Sequence, residues 1–182
     1  MMKFLQIISR PGKLILGTGI VLILYGHLCR AVDLYFFWES RSIGWDLFLL
    51  GLIFALISWR KDKKRNGKKV IKEGLEIAIL IFWLAGRAFF YFGISRTDGY
   101  LAAKTFVLKN DSIRREIGTV GSMYIIPGGR YTWSTTGGVE TGSAGLELVV
   151  KGEKKFKDYF FDVDRPVGSG WQVEGIEERK GW

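Results

Sequence analysis

The soft ligands of this 182-residue chain are one histidine, His27, and one cysteine, Cys29. Two positions apart on a helix they project to opposite sides, so they cannot share a metal ion. A lone His in an apolar run ligates haem only if a second chain supplies the other axial ligand; otherwise it hydrogen-bonds a neighbour or sits among headgroups. The expectation is therefore no cofactor, with haem at His27 as the exception to be tested. Residues 96–182 contain no His and no Cys, which removes zinc sites, Cys–His pairs and Ser-His-Asp triads from that half. Three more ionisable side chains, Arg30, Glu76 and Arg87, lie in or beside apolar runs. A charge at the bilayer centre costs about 2.5–3.5 kcal/mol, so each must reach an interface or a partner. Arg30 has Asp33 three residues on, Glu76 lies one turn from a run's end, and the stem of Arg87 can snorkel outward. No catalytic set emerges, and the chain is not expected to be an enzyme.

The other chemically distinctive stretch is basic. Residues 60–72 carry eight Lys or Arg against the single acid Asp62, which supplies most of the formal net charge of +9. A nucleic-acid surface spreads its cations over a folded face and interleaves aromatics; this segment contains no aromatic, and no nucleic-acid partner is expected. Its neighbours explain it better. Residues 14–29 hold no charge, 45–59 hold only Asp46 and the terminal Trp59 neighbourhood is apolar, and 75–94 form a third run. A helix over the third is about 30 Å long, the thickness of a hydrocarbon core. The first two are shorter, so either the first helix continues to Trp38 or the two form a re-entrant hairpin.

The expected organisation is a membrane part, residues 1–95, with three transmembrane helices at about 14–38, 43–59 and 74–95 and a basic loop at 60–72. An α+β part follows, residues 96–182, a helix leading into an antiparallel β-meander. Short loops rich in Lys and Arg stay on the cytoplasmic side. Arg60, Lys61, Lys63, Lys64, Arg65, Lys68 and Lys69 are thus read as the topology anchor, with Lys3, Arg10 and Lys13 in agreement. This places the N-terminus inside a cytoplasmic (inner) membrane, residues 39–44 outside, and the C-terminal domain outside. Anionic lipid is an expected partner of the cations. The first run lacks a small-x-small cleavage pattern, so it is read as retained.

In the second half, Asp98 is placed to cap a helix carrying Leu101, Ala102, Thr105 and Phe106, and a short turn at 111–117 ends at Gly118. Strands are expected at 122–126, 131–135, 144–151, 155–163 and 171–176, separated by Gly- and Pro-rich turns. Ala144, Leu146, Leu148 and Val150 fall on one face of their strand, and in the next strand Tyr159, Phe161 and Val163 alternate with Phe160, Asp162 and Asp164, so one face packs and the other is mostly wet. Tyr131 and Trp133 are candidate partner-binding residues, either in an aromatic groove or on an edge hairpin open to strand addition. Trp171 and Trp182, with Tyr124, are further candidates for lining a sugar or peptide groove, although Trp171, at a strand start, is read as core. The segment 128–138 has no following helix and is no phosphate cradle.

The order of these pieces resembles the cytochrome oxidase complex assembly protein 1 family. The matching residues are Asn110–Gly118, then Gly142, Ala144, Leu146 and Gly152, then Tyr159 and Arg165, and finally Gly170, Trp171 and Val173. The resemblance covers residues 97–178. It implies an α+β domain similar to an accessory subunit of the mitochondrial presequence translocase, facing away from the matrix or cytosol. It also implies a non-enzymatic role in assembling a respiratory terminal oxidase, with oxidase subunits as partners; no catalytic residues are defined for the family. Three runs instead of one anchor distinguish this chain. The alternative is an extracytoplasmic ligand-binding or sensing module on the same anchor.

Overall fold

A computed structural model describes residues 8–34, 36–127 and 129–179; Lys3 and Trp182 lie outside them. The chain divides into two compact units, one of Met1–Val32 with Glu39–Ala88, the other of Asp33–Trp38 with Phe89–Trp182.

The first unit contains α1 (Arg10–Ala31), α2 (Ser40–Arg65) and most of α3 (Ile71–Ile94). All three are long and apolar enough to cross a membrane, at about 33, 39 and 36 Å by helical rise. Ser9 caps α1 through its hydroxyl, which accepts from the Gly12 N–H at 3.4 Å, and Pro11 sits in the first turn, where its missing N–H costs nothing. The expected continuation to Trp38 does not occur: α1 stops at Ala31 and Asp33 adopts φ +51°, a left-handed backbone that ends a helix. The expected outer loop at 39–44 is helical instead, because α2 begins at Ser40, and residues 32–39 make the connection. At its other end α2 runs through Arg65, so the first half of the basic segment is helix. Lys and Arg are good helix formers, and a cationic last turn complements the helix dipole.

Glycine explains the α1–α2 pair. Gly12, Gly19 and Gly26 recur every seven residues on α1, and Gly44 and Gly51 do the same on α2; all are buried. A Cβ on Gly19 would lie 2.6 Å from the Phe48 backbone nitrogen, one on Gly26 2.6 Å from that of Arg41, and one on Gly51 2.7 Å from the Leu16 Cα. These approaches run in opposite senses along the two helices, which are therefore antiparallel. Close backbone contact between small residues is how apolar helices associate where burial from water supplies no driving force. Cys29 is fully buried, its thiol donating to the Gly26 carbonyl at 3.3 Å.

Among the described residues α3 has no extended backbone approach to α2. Two ion pairs reach across instead: Arg87 Nε to Asp46 Oδ1 at 2.6 Å, and Lys63 to Glu73. Arg87 is thus neutralised by Asp46 rather than snorkelling alone. Arg30 donates to the Gly26 carbonyl at 3.2 Å, a backbone acceptor in place of the expected Asp33.

In the second unit, α4 (Asp98–Lys109) and α5 (Asp111–Ile117) precede five strands: β1 (Val120–Ile125), β2 (Arg130–Thr136), β3 (Val139–Gly152), β4 (Phe156–Arg165) and β5 (Gln172–Glu178). Thr97, not Asp98, caps α4, accepting from the Tyr100 N–H at 3.3 Å. Asn110 caps α5 through two 3.0 Å bonds, and Gly118 closes it at φ +83°. The sheet is antiparallel in the order β1–β3–β4–β5, with β2 beside the first half of β3. The strand expected at 144–151 is the second half of β3. Its first half contains Gly142, where a Cβ would lie 2.5 Å from the Trp171 ring, so a residue that looks like a break is the seat for an indole.

Ala144, Leu146, Leu148, Val150, Tyr159, Phe161 and Val163 form the core face, covered by Tyr100, Ala103 and Val107 of α4 and by Ile113 and Ile117 of α5. The buried stripe of α4 is thus rotated from the expected one, and Leu101 is exposed. The reverse face is not left wet along its length. Val149 and Asp158 are cross-strand partners there, and both are buried. Trp38 packs on this face, donating from Nε1 to Asp158 Oδ1 at 2.7 Å and meeting Phe156 edge-on at 6.4 Å. Tyr91, near the end of α3, packs on Tyr124 with ring centroids 5.2 Å apart. The connector between α1 and α2 is therefore part of this domain.

Candidate functional site

Tyr131 and Trp133 pair with Ala144 and Gly142, so both project from the core face of the sheet. They have different environments. Tyr131 is half-buried and stacks on Trp171 with centroids 5.3 Å apart and an interplanar angle of 32°. Burial, reinforced by the Asp98 carboxylate, pushes its phenol up despite a bond with Thr97. Gly99 leaves room for both rings, its Cβ position lying 3.3 Å from Trp171 and 3.4 Å from Tyr131. This pair closes one end of the core. Trp133 lies beyond the helical cover and is 61% exposed. The two residues do not form one aromatic groove.

What Trp133 occupies is the middle of an open sheet edge. β2 pairs with β3 in an unbroken register from Arg130↔Gly145 to Thr136↔Val139, and among the described residues no strand takes its other side. The hairpin closes through Gly137 at φ +59° and Gly138 at φ +81°, the two left-handed positions of a type I′ turn. Proteins usually blunt an edge with a bulge, proline or inward charge. β5, the opposite edge, carries a register shift opposite Asp162/Val163 and three glutamates, Glu174, Glu177 and Glu178. β2 has no bulge and no proline, and its one charge, Arg130, is at the end. It is a row of backbone donors and acceptors with a large indole at its centre, suited to accepting a strand from a partner.

The other end of the domain is fixed by charge. Glu116 of α5 binds Lys155 at 2.9 Å and Lys157 at 2.5 Å, and Lys157 binds Glu178 of β5 at 2.5 Å. Lys157, with Lys155 next, holds the Glu116 carboxyl below its usual value despite some burial. Burial alone would lower the Lys157 ammonium, but its bonds to Glu116 and Glu178 prevail and raise it. Burial, then the Glu116 charge, pushes the Tyr159 phenol up to about 12.

Of the residues expected to anchor the topology, Arg60, Lys61, Lys64, Arg65, Lys68 and Lys69 are exposed. Lys63 is engaged, paired with Glu73 and lying 4.5 Å above the Trp59 ring. His27 is on the exposed side of α1 and Cys29 on the buried side, so the two soft ligands are kept apart. Among the described residues no three His, Cys, Asp or Glu side chains gather to hold a metal ion.

No family model, curated protein or solved structure matches this chain. The residues that carry the resemblance are packing and turn points. Asn110 and Gly118 begin and end α5, Gly142 seats Trp171, and Gly152 lets β3 pass against the Ile117 carbonyl. Sequence reasoning missed two features, the glycine seam and the Trp38–Asp158 bond. The seam has a signal, glycines seven apart on both helices. The bond has none, since its partners lie 120 residues apart.

Proposed function

We propose that the chain is a membrane-anchored, non-enzymatic interaction protein whose α+β domain faces the extracytoplasmic side of a cytoplasmic membrane and binds another membrane protein through the open edge of β2. The resemblance supports a terminal-oxidase assembly or accessory role, with oxidase subunits as clients. The observation that carries the binding reading is the unprotected β2 edge with Trp133 exposed at its centre. Orientation is supported by the basic end of α2 and by the Trp38–Asp158 bond, which joins the α1–α2 connector to the sheet. Affinity purification of the tagged full chain from gently solubilised membranes tests the client. Oxidase subunits or their maturation factors are expected, and Trp133→Ala should reduce their recovery while leaving the protein folded. Repeated recovery without any oxidase component removes the assembly role. Equal recovery with Trp133→Ala removes β2 as the site.

A further inference from the structure

We infer that the turn between α2 and α3 is a binding surface for the headgroups of anionic phospholipids. The inference rests on the membrane-anchored reading and adds a site at the end of α2 remote from the connector.

The cations there are exposed while the nearby acids are occupied. Lys61, Lys64 and Arg65 end α2, the chain turns through Asn66 and Gly67, the latter at φ +68°, and Lys68 and Lys69 follow directly. Glu73 is held by Lys63, and Asp62 accepts from the Asn66 amide at 3.4 Å. Among the described residues, five cations therefore remain without a carboxylate partner on one short turn. On a helix end, like charges three and four residues apart repel one another, so the turn gains from a layer of anions. Lysine offers phosphate a point charge and arginine a two-pronged donor.

A lipid surface fits better than a nucleic acid. The patch adjoins the apolar stretch of α2 within one turn, at Trp59, and the Lys63 ammonium resting on that ring gives the boundary an amphipathic edge. No aromatic side chain lies between Arg60 and Lys72 for base stacking. Each basic residue near an anionic leaflet contributes about 1 kcal/mol, or about fivefold in affinity.

The test uses the full chain in phosphatidylcholine bilayers with spin-labelled phosphatidylglycerol or spin-labelled phosphatidylcholine, and reads the motionally restricted fraction of each. The expected result is a preference for phosphatidylglycerol of at least about threefold at low salt, lost at about 1 M salt, where the screening length is about 3 Å. It should also be lost when Lys61, Lys64, Arg65, Lys68 and Lys69 are all changed to Gln. Equal restriction of both lipids, or a preference that survives the five substitutions, overturns the inference but not the anchor. Loss of preference on adding inorganic phosphate at constant ionic strength assigns the site to free phosphate and overturns the lipid, as does competition by RNA. Absence of any restricted lipid removes the membrane reading and this site with it.

Discussion

Trp38 is the residue whose chemistry most exceeds its place in the chain. It lies in the connector between two apolar helices, yet its indole N–H meets a carboxylate buried in the sheet. A hydrogen bond to a charged group is worth about 1.5–3 kcal/mol. Trp38→Phe, which keeps a ring against Phe156, should lower domain stability by about that amount, and Trp38→Ala by about 3–5 kcal/mol; denaturant melts of the full chain in detergent measure both. Glu116 makes a pH prediction. Its carboxyl is held below the ordinary value of 4.5, so its contribution is present above the unfolded value and is lost as pH falls through the lower folded one. Lys157 has the opposite sign. Its ammonium is raised above 10.5, so its contribution holds below that value and disappears as pH rises through the folded one. Glu116→Gln should flatten the acid limb of a stability-against-pH curve, by about 1 kcal/mol or less, because the pair is partly exposed.

At the scale of elements, the glycine seam gives the sharpest contrast. Gly19→Leu drives a side chain into the α2 backbone, whereas Gly17, on the same helix, has nothing within 4 Å of its Cβ position. The first should cost about 1–3 kcal/mol or separate the pair, and Gly17→Leu should be neutral; thermal unfolding in detergent with cross-linking across α1 and α2 distinguishes them. Asp46 and Arg87 test the link to α3. Removing either one leaves an uncompensated charge in an apolar run, costing about 1–3 kcal/mol because the pair is partly exposed, while Asp46→Leu with Arg87→Leu should be close to neutral. The same contrast shows how much of the architecture is legible in sequence. The strands declare themselves because β-branched and aromatic runs alternate between glycine turns, and α5 because Asn110 and Gly118 mark both ends. The phase of α4 does not, since Leu101 and Phe106 are as apolar as Tyr100 and Ala103, and only the sheet decides which stripe is covered. Nor does the start of β3, where Gly142 signals a turn locally but serves Trp171 from 29 residues away. At the site, aromaticity at 131 and 133 is visible, but that one ring stacks inward while the other stays exposed depends on where α4 ends.

For the whole molecule, three apolar helices precede a domain whose core face is covered by its own helices and whose reverse face meets Trp38 of the α1–α2 connector. During synthesis the connector leaves the ribosome well over a hundred residues before Asp158 does, and an exposed stretch with Phe36 and Phe37 must wait through that interval without its hydrogen-bond acceptor. The final strands are therefore expected not to mature as an independent module, because the tile on their back was made first and belongs to another part of the polypeptide. Expressed alone, residues 89–179 should aggregate or bind a hydrophobic dye, and a co-expressed segment spanning residues 10–65 should rescue them. Soluble, tightly folded material from the fragment alone would show that the tile is dispensable.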